Sequence, residues 1–268
     1  MIEAIVAFVF GLLIGSFLNV CIYGWPRDLS VVRPRSHCPS CEKMIAWYDN
    51  IPVISFVTLG GQCRHCKARI PLRYPVVELM TAFLFFLYVL ALGPSLEALR
   101  NCVFSAMLIG LVFADLEERI LPDELTLGGT VVGIALSLFV PVPSNTAQAI
   151  LWLLGHEPRG RMQSLVESLF GAGLPALLLW GGGWLYEKVR HREGLGFGDV
   201  KLIAMIGAFL GLQGALATLV LGSLAGSLIG YAYIYLTKKE TSSYELPFGT
   251  FLGFAALAVS LMGTWRTL

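Results

Sequence analysis

The chain has 268 residues, 56% of them hydrophobic and 14% charged, with a mean hydropathy of +0.72. A water-facing domain carries about 25% charged residues, so a soluble globular protein is excluded and much of the surface must face lipid. The net charge of +1 excludes the basic excess of a nucleic-acid binder, and no nucleic-acid partner is expected.

About 20 apolar helical residues cross a bilayer. By that measure spans fall near 2–24, 75–93, 98–119, 124–140, 163–186, 200–213, 214–236 and 247–264. The expected fold is an all-α polytopic membrane protein of about eight transmembrane helices. Its expected parts are a first transmembrane helix over 1–24, a polar loop over 25–74 and a transmembrane bundle over 75–268. The first span opens on Glu3 rather than a basic region and shows no small-residue cleavage site, so it reads as retained. Small residues four apart (Gly11 and Gly15, Gly207 and Gly211, Gly222, Gly226 and Gly230) predict close helix packing. No internal repeat of 20–50 residues is present.

Lysine and arginine orient these spans. Fifteen of the nineteen fall on the side of the 25–74 loop, and Arg100, Arg159, Arg161 and Arg266 fall on the other. This positive-inside bias predicts a cytoplasmic loop and outward-facing termini.

Within that loop Cys38 and Cys41 form one C-x2-C, and Cys63 and Cys66 a second. Four thiolates in two such pairs suit a structural zinc site. Disulfides are the rival reading, which a reducing cytoplasm disfavours. His37 and His65 beside them are read as surface residues, and Cys21 and Cys102, in apolar runs, as small hydrophobes.

Ionisable residues at membrane depth need a reason. Asp115 ends the run NCVFSAMLIGLVFAD, and Asp199 lies in GLGFGDVKL at the start of the next-but-two apolar stretch. Alone, each has an ordinary explanation: an i, i+4 pair of Asp115 with Arg119, and helix capping by Asp199. Together they fall at the cytoplasmic ends of spans and so can lie at one depth, and two carboxylates within a few ångströms share a proton. One then activates water while the other protonates a carbonyl, the chemistry of an aspartic protease.

The segments GSFLNVCIY, SHCPSC, YDNIPVISF, CRHC, RYPVVEL, ADLEERILPDELT, GFGDVKL and LPFGTFLGFA, taken in that order, resemble the type IV prepilin peptidases. These are GxGD-type intramembrane aspartyl proteases of bacterial inner membranes. The resemblance runs from about residue 11 to 257 and spares mainly 141–162. It implies cleavage of a short basic leader from type IV prepilins or type II secretion pseudopilins. It also implies N-methylation of the new N-terminal residue with S-adenosyl-L-methionine. It carries the catalytic roles onto Asp115 and Asp199, and the metal roles onto Cys38, Cys41, Cys63 and Cys66. The chain departs from the family in having Glu42 and Lys67, where many members follow each cysteine pair with glycine. Competing readings are a presenilin-like GxGD protease and a non-catalytic zinc-stabilised scaffold or transporter.

Three finer expectations follow. Glu78, one turn into the second span, is a candidate anion for methyl transfer. The acidic edge Asp115, Glu117, Glu118, Asp123 and Glu124 is placed to steer a basic leader. The helix dipole at Asp199 makes it the expected ionised base and Asp115 the protonated acid.

Overall fold

The computed structural model describes residues 1–33, 36–142, 146–153, 155, 160–191, 196–237 and 247–266. Arg35, Arg159, Arg192, Lys238 and Lys239, all counted in the charge asymmetry, lie outside the described residues, as do Gly194, Leu195 and Leu246 of the motifs quoted above. The chain forms two compact units, Met1–Gly110 and Leu111–Leu268.

In the first unit, α1 (Ile2–Gly24) packs along α3 (Arg73–Leu92). Gly11 meets Ala82 and Gly15 meets Glu78, so rising numbers on one helix meet falling numbers on the other, and the two run antiparallel. A Cβ on Gly11 would stand 2.5 Å from the Ala82 Cα, and one on Gly15 would stand 2.6 Å from the Glu78 Cα. Small residues therefore set the separation, as the four-residue spacing predicts. The other face of α1 is apolar and exposed at Ile5, Val9, Phe10, Leu13 and Phe17, a surface suited to lipid rather than water. Between these helices the loop holds single turns at Trp25–Arg27 and Trp47–Asp49 and a short helix α2 (Ile54–Thr58). The helix α4 (Leu96–Glu118) begins in this unit and ends in the second.

The second unit continues with α5 (Asp123–Ser137), α6 (Thr146–Leu153), α7 (Arg161–Arg190), α8 (Phe197–Thr237) and α9 (Phe248–Arg266). Helix α8 is its centre and packs against α5, α7 and α9. Its early part is apolar all round and buried at Leu202, Ile203, Met205, Ile206 and Phe209, as a helix surrounded by others must be. The backbones of α7 and α8 touch at Gly171 and Gly207, where neither position has room for a Cβ.

Each predicted span is helical, with two adjustments. The division expected at 213/214 is a break inside α8 at Gly211, whose φ of +70° and ψ of −176° are non-helical and open to glycine. Gly211 therefore serves backbone conformation as well as close packing. Helix α6 was not expected: it is eight residues long, in what reads as an outer loop. Among the described residues five helices are long and apolar enough to cross a membrane, and Phe248–Thr264 is a shorter apolar one. The 15 residues of α5 rise only about 22 Å, short of a bilayer core of about 30 Å.

The α1–α3 contact makes a testable contrast. Gly15→Val should destabilise the protein by about 1–3 kcal/mol through overpacking, lowering the thermal midpoint in detergent. Gly173→Ala on α7 has nothing within 4 Å of its new Cβ. It should leave the midpoint unchanged or raise it through helix propensity, worth about 1 kcal/mol.

Candidate active site and metal centre

Asp115 lies in the last turn of α4 and is 6% exposed. Its Oδ2 accepts two hydrogen bonds from Thr250, from the backbone N–H at 2.6 Å and from Oγ1 at 2.7 Å. Thr250 is the third residue of α9, so its N–H is one of those a helix start leaves without an intrahelical partner. Asp115 thus caps α9 from the end of another helix. Pro247 ahead of α9 and Gly249 within its first turn shape this approach. A Cβ on Gly249 would lie 3.2 Å from the Asp115 Oδ2 and 3.0 Å from the Leu121 Cδ1, so only glycine leaves the carboxylate its place.

Asp199 is the third residue of α8. Its N–H bonds the Gly196 carbonyl at 3.1 Å, closing the turn of the Gly196–Phe197–Gly198–Asp199 motif. A Cβ on Gly198 would lie 3.2 Å from the Leu121 Cδ1. Leu121 is therefore wedged between the glycines of two motifs, which gathers the end of α4, the start of α8 and the start of α9 at one place. Lys201 ties the same region to α5 through Asp123 at 2.6 Å. The two aspartates lie within electrostatic reach of each other.

Asp199 sits in the first turn of its own helix, whereas Asp115 faces the first turn of α9 from the last turn of α4. The dipole preference of about 0.3–1 kcal/mol therefore leans toward an ionised Asp199, and the hydrogen bonds oppose it. Hydrogen bonds to a charged group are worth about 1.5–3 kcal/mol each, and Thr250 supplies two to Asp115. Among the described residues no hydrogen bond to the Asp199 carboxyl is found. Thr250 was missed in the sequence, where it looks like any threonine opening an apolar helix.

In the loop, Cys38, Cys41, Cys63 and Cys66 bring their sulfurs within 4.8 Å of one another, a cluster that can hold a metal ion. None is in a disulfide, and the Cys38 and Cys66 sulfurs are 3.8 Å apart. A zinc ion about 2.3 Å from four sulfurs requires tetrahedral edges of about 3.8 Å. The two C-x2-C pairs are built alike. The Cys38 N–H donates to the Lys43 carbonyl at 3.0 Å, and the Cys63 N–H to the Ala68 carbonyl at 2.8 Å. The N–H groups of Cys66 and His65 point at the Cys63 sulfur and hold its thiol down to about 6, which suits a thiolate ligand. Cys66 goes the other way, up to about 11. The Ala68 N–H favours its thiolate, but burial and the thiols of Cys41, Cys63 and Cys38 outweigh it. The residues that follow the two cysteine pairs both adopt positive φ, +57° at Glu42 and +60° at Lys67.

Next to this cluster a cavity of about 160 Å³ is lined by Ile51, Phe56, Leu59, Tyr74 and Glu78 among others. Glu78 is 6% exposed, and its Oε2 accepts the Val53 N–H at 2.8 Å, with the Ser16 hydroxyl also bonded to the carboxylate. Val53 has φ +60° and ψ −47°, and the Ile54 N–H reaches the Pro52 carbonyl at 2.6 Å. That is a γ-turn of the rare, strained hand, improbable for a β-branched residue. Asn19 of α1 adds a bond from Nδ2 to the Tyr74 carbonyl at 3.1 Å. The segments GSFLN, NIPVISF and RYPVVEL thus meet around one buried carboxylate.

Residues 9–92 match the family described as Bacterial Peptidase A24 N-terminal domain, and residues 102–231 the Type IV leader peptidase family. Similar curated proteins are named prepilin leader peptidase/N-methyltransferase. That of Aeromonas salmonicida (strain A449) is 34% identical over 281 residues, 96% of this chain and 89% of that protein. That of Pseudomonas aeruginosa is 33% identical over 277 residues, 94% of this chain and 88% of that protein. That of Myxococcus xanthus (strain DK1622) is 39% identical over 236 residues, 88% of this chain but only 64% of that protein's length. No solved structure matches the chain.

The strain after each cysteine pair is testable. Lys67→Gly relieves a left-handed conformation that costs about 1–2 kcal/mol for a residue with a Cβ, so metal loss to a chelator should slow. The double change Cys63→Ser and Cys66→Ser should leave no bound metal by elemental analysis.

Proposed function

The chain belongs to the type IV leader peptidase family, and on that premise we propose that it cleaves the leader of prepilins with Asp115 and Asp199 and N-methylates the new N-terminal residue. The observation that carries this reading is the gathering of the end of α4 and the starts of α8 and α9 around Leu121, with the two aspartates within electrostatic reach of each other. A paired carboxylate and carboxylic acid can polarise water and a peptide carbonyl at once. Their place at helix ends supports water access to a bond in a membrane-bound substrate.

The substrates in this reading are type IV prepilins or type II secretion pseudopilins with short basic leaders. Glu117 and Glu118 beside Asp115 offer the opposite charge, Glu117 being exposed. The multi-pass chain would lie in the bacterial inner membrane with the cysteine loop and aspartates on the cytoplasmic side, as the lysine and arginine bias supports. The loop 25–74 acts as the metal module and 75–268 as the catalytic bundle.

Zinc is the metal that best fits four closely spaced thiolates. Cys38, Cys41, Cys63 and Cys66 would hold it in a closed, structural site. The loop has little apolar core of its own, so the metal would fix its fold.

S-adenosyl-L-methionine, when bound, supplies an electrophilic methyl group. In this reading it sits in the cavity beside the metal cluster, where Ile51, Phe56 and Leu59 offer an apolar wall and Glu78 a buried carboxylate for a cationic centre. Backbone strain at Val53, on the wall of this cavity, is of the kind held at functional sites.

Two experiments follow. Asp115→Asn and Asp199→Asn should each abolish cleavage of a co-expressed prepilin while metal content stays at the wild-type level. Near wild-type cleavage by either variant overturns the dyad. Glu78→Gln keeps an acceptor for the Val53 N–H but removes the charge. Mass spectrometry of the pilin should then show cleavage retained and methylation lost, and normal methylation removes Glu78 from the reaction.

A further inference from the structure

Resting on the proposed dyad, we infer that Thr250 is a positioning residue that holds Asp115 as the ionised aspartate and leaves Asp199 as the protonated one. This reverses the expectation drawn from the Asp199 helix dipole alone. Both Thr250 donors converge on a single oxygen, Oδ2 of Asp115, at 2.6 and 2.7 Å. Donors aimed at a carboxylate favour its charged form. Both bonds go to Oδ2, and the water is assigned to Oδ1. The Thr250 hydroxyl lies 3.4 Å from the Val112 carbonyl, so the side chain is seated against α4 as well as against the carboxylate.

The charged groups around Asp115 pull in both directions, so the assignment rests on the two Thr250 hydrogen bonds. Helix α8 presents Asp199 and then Lys201, and Lys201 is engaged by Asp123. Helix α9 carries no charged residue before Arg266. On its own helix the nearest charges are Glu117, Glu118 and, just past the helix end, Arg119, the one cation within a turn. The two aspartates cannot easily ionise together at short range. Stabilising the Asp115 anion therefore keeps the proton on Asp199.

The step then balances. Asp115 Oδ1 takes a proton from water, the water oxygen bonds the scissile carbonyl carbon, and Asp199 gives its proton to the carbonyl oxygen. In the breakdown Asp115 returns its proton to the leaving nitrogen as the C–N bond breaks. Asp199 takes back a proton from the diol, and the dyad ends as it began.

In a pH–rate profile of prepilin cleavage the acidic limb would report Asp115 and the basic limb Asp199. Thr250→Val keeps the shape and the N–H but loses the hydroxyl donor. It should move the acidic limb up by about one pH unit and lower kcat about tenfold on that limb. KM should hold and the basic limb should stay put. Thr250→Ser should restore the wild-type profile. If the valine variant does not fold, Thr250→Ala gives the same reading, with thermal unfolding in detergent as the check on integrity. A uniform loss of rate with both limbs unmoved makes Thr250 merely structural and overturns the inference. Movement of the basic limb instead assigns the charge to Asp199 and overturns it too. Activity in Asp115→Asn would sink the dyad itself. An inactive Asp115→Asn alongside an unshifted valine variant refutes only the role of Thr250.

Discussion

A buried carboxylate at the end of one membrane helix and unpaired N–H groups at the start of another are each unfavourable where water is scarce. At Asp115 and Thr250 each answers the other's deficit. This joint ties the end of α4 to the start of α9 across 135 positions of sequence, and much of the second unit's local chemistry depends on it. Gly249 must lack a Cβ so that the carboxylate can sit there, and Leu121 fills the space beside it. Because Leu121 also touches Gly198, the joint brings the Asp199 turn to the same place.

The first unit solves a similar problem around Glu78. Its carboxylate is buried at the α1–α3 contact and takes the Val53 N–H, which points inward only because Val53 is held in a strained turn. Such strain costs about 1–3 kcal/mol, and a hydrogen bond to a charged acceptor is of the size needed to hold it. The glycines at 11 and 15 let α1 come close enough for Ser16 to join the same carboxylate. Removing the charge while keeping the acceptor is therefore informative, because it spares the turn and tests only the anion.

The helices were legible because a bilayer demands runs of fixed length, and 56% hydrophobic composition concentrates into them. The break at Gly211 was placed only within two residues, since apolar residues on both sides hide where one helix stops and the next begins. Helix α6 was illegible: eight residues carry no span signal. The cysteine cluster could be read because two C-x2-C pairs have few other uses, whereas the aspartates stand out only as a pair at span ends, each alone having an ordinary explanation. Thr250 could not, because its role comes from a contact 135 residues away rather than from a local pattern. The strained turn at Val53 is hidden for another reason: its positive φ contradicts what a β-branched side chain prefers. Glu42 and Lys67 share a positive φ but stand out in the sequence because many family members carry glycine there.

The division of labour along the chain carries one more consequence. Asp115, Asp199 and Thr250 all follow residue 111, whereas the cysteine cluster, Glu78 and the cavity all precede residue 110. The proposed cleavage and methylation thus draw on separate sets of residues, each stabilised by contacts within its own unit. The chemistry nevertheless imposes an order, because the amine to be methylated does not exist until the peptide bond is cut. Methylation must follow cleavage in time without sharing its carboxylates. A pre-cleaved pilin supplies that amine directly. It should therefore be methylated by Asp115→Asn and Asp199→Asn protein at close to the wild-type rate, measured by transfer of labelled methyl groups. Loss of both reactions in either variant would mean that the aspartates serve methyl transfer as well.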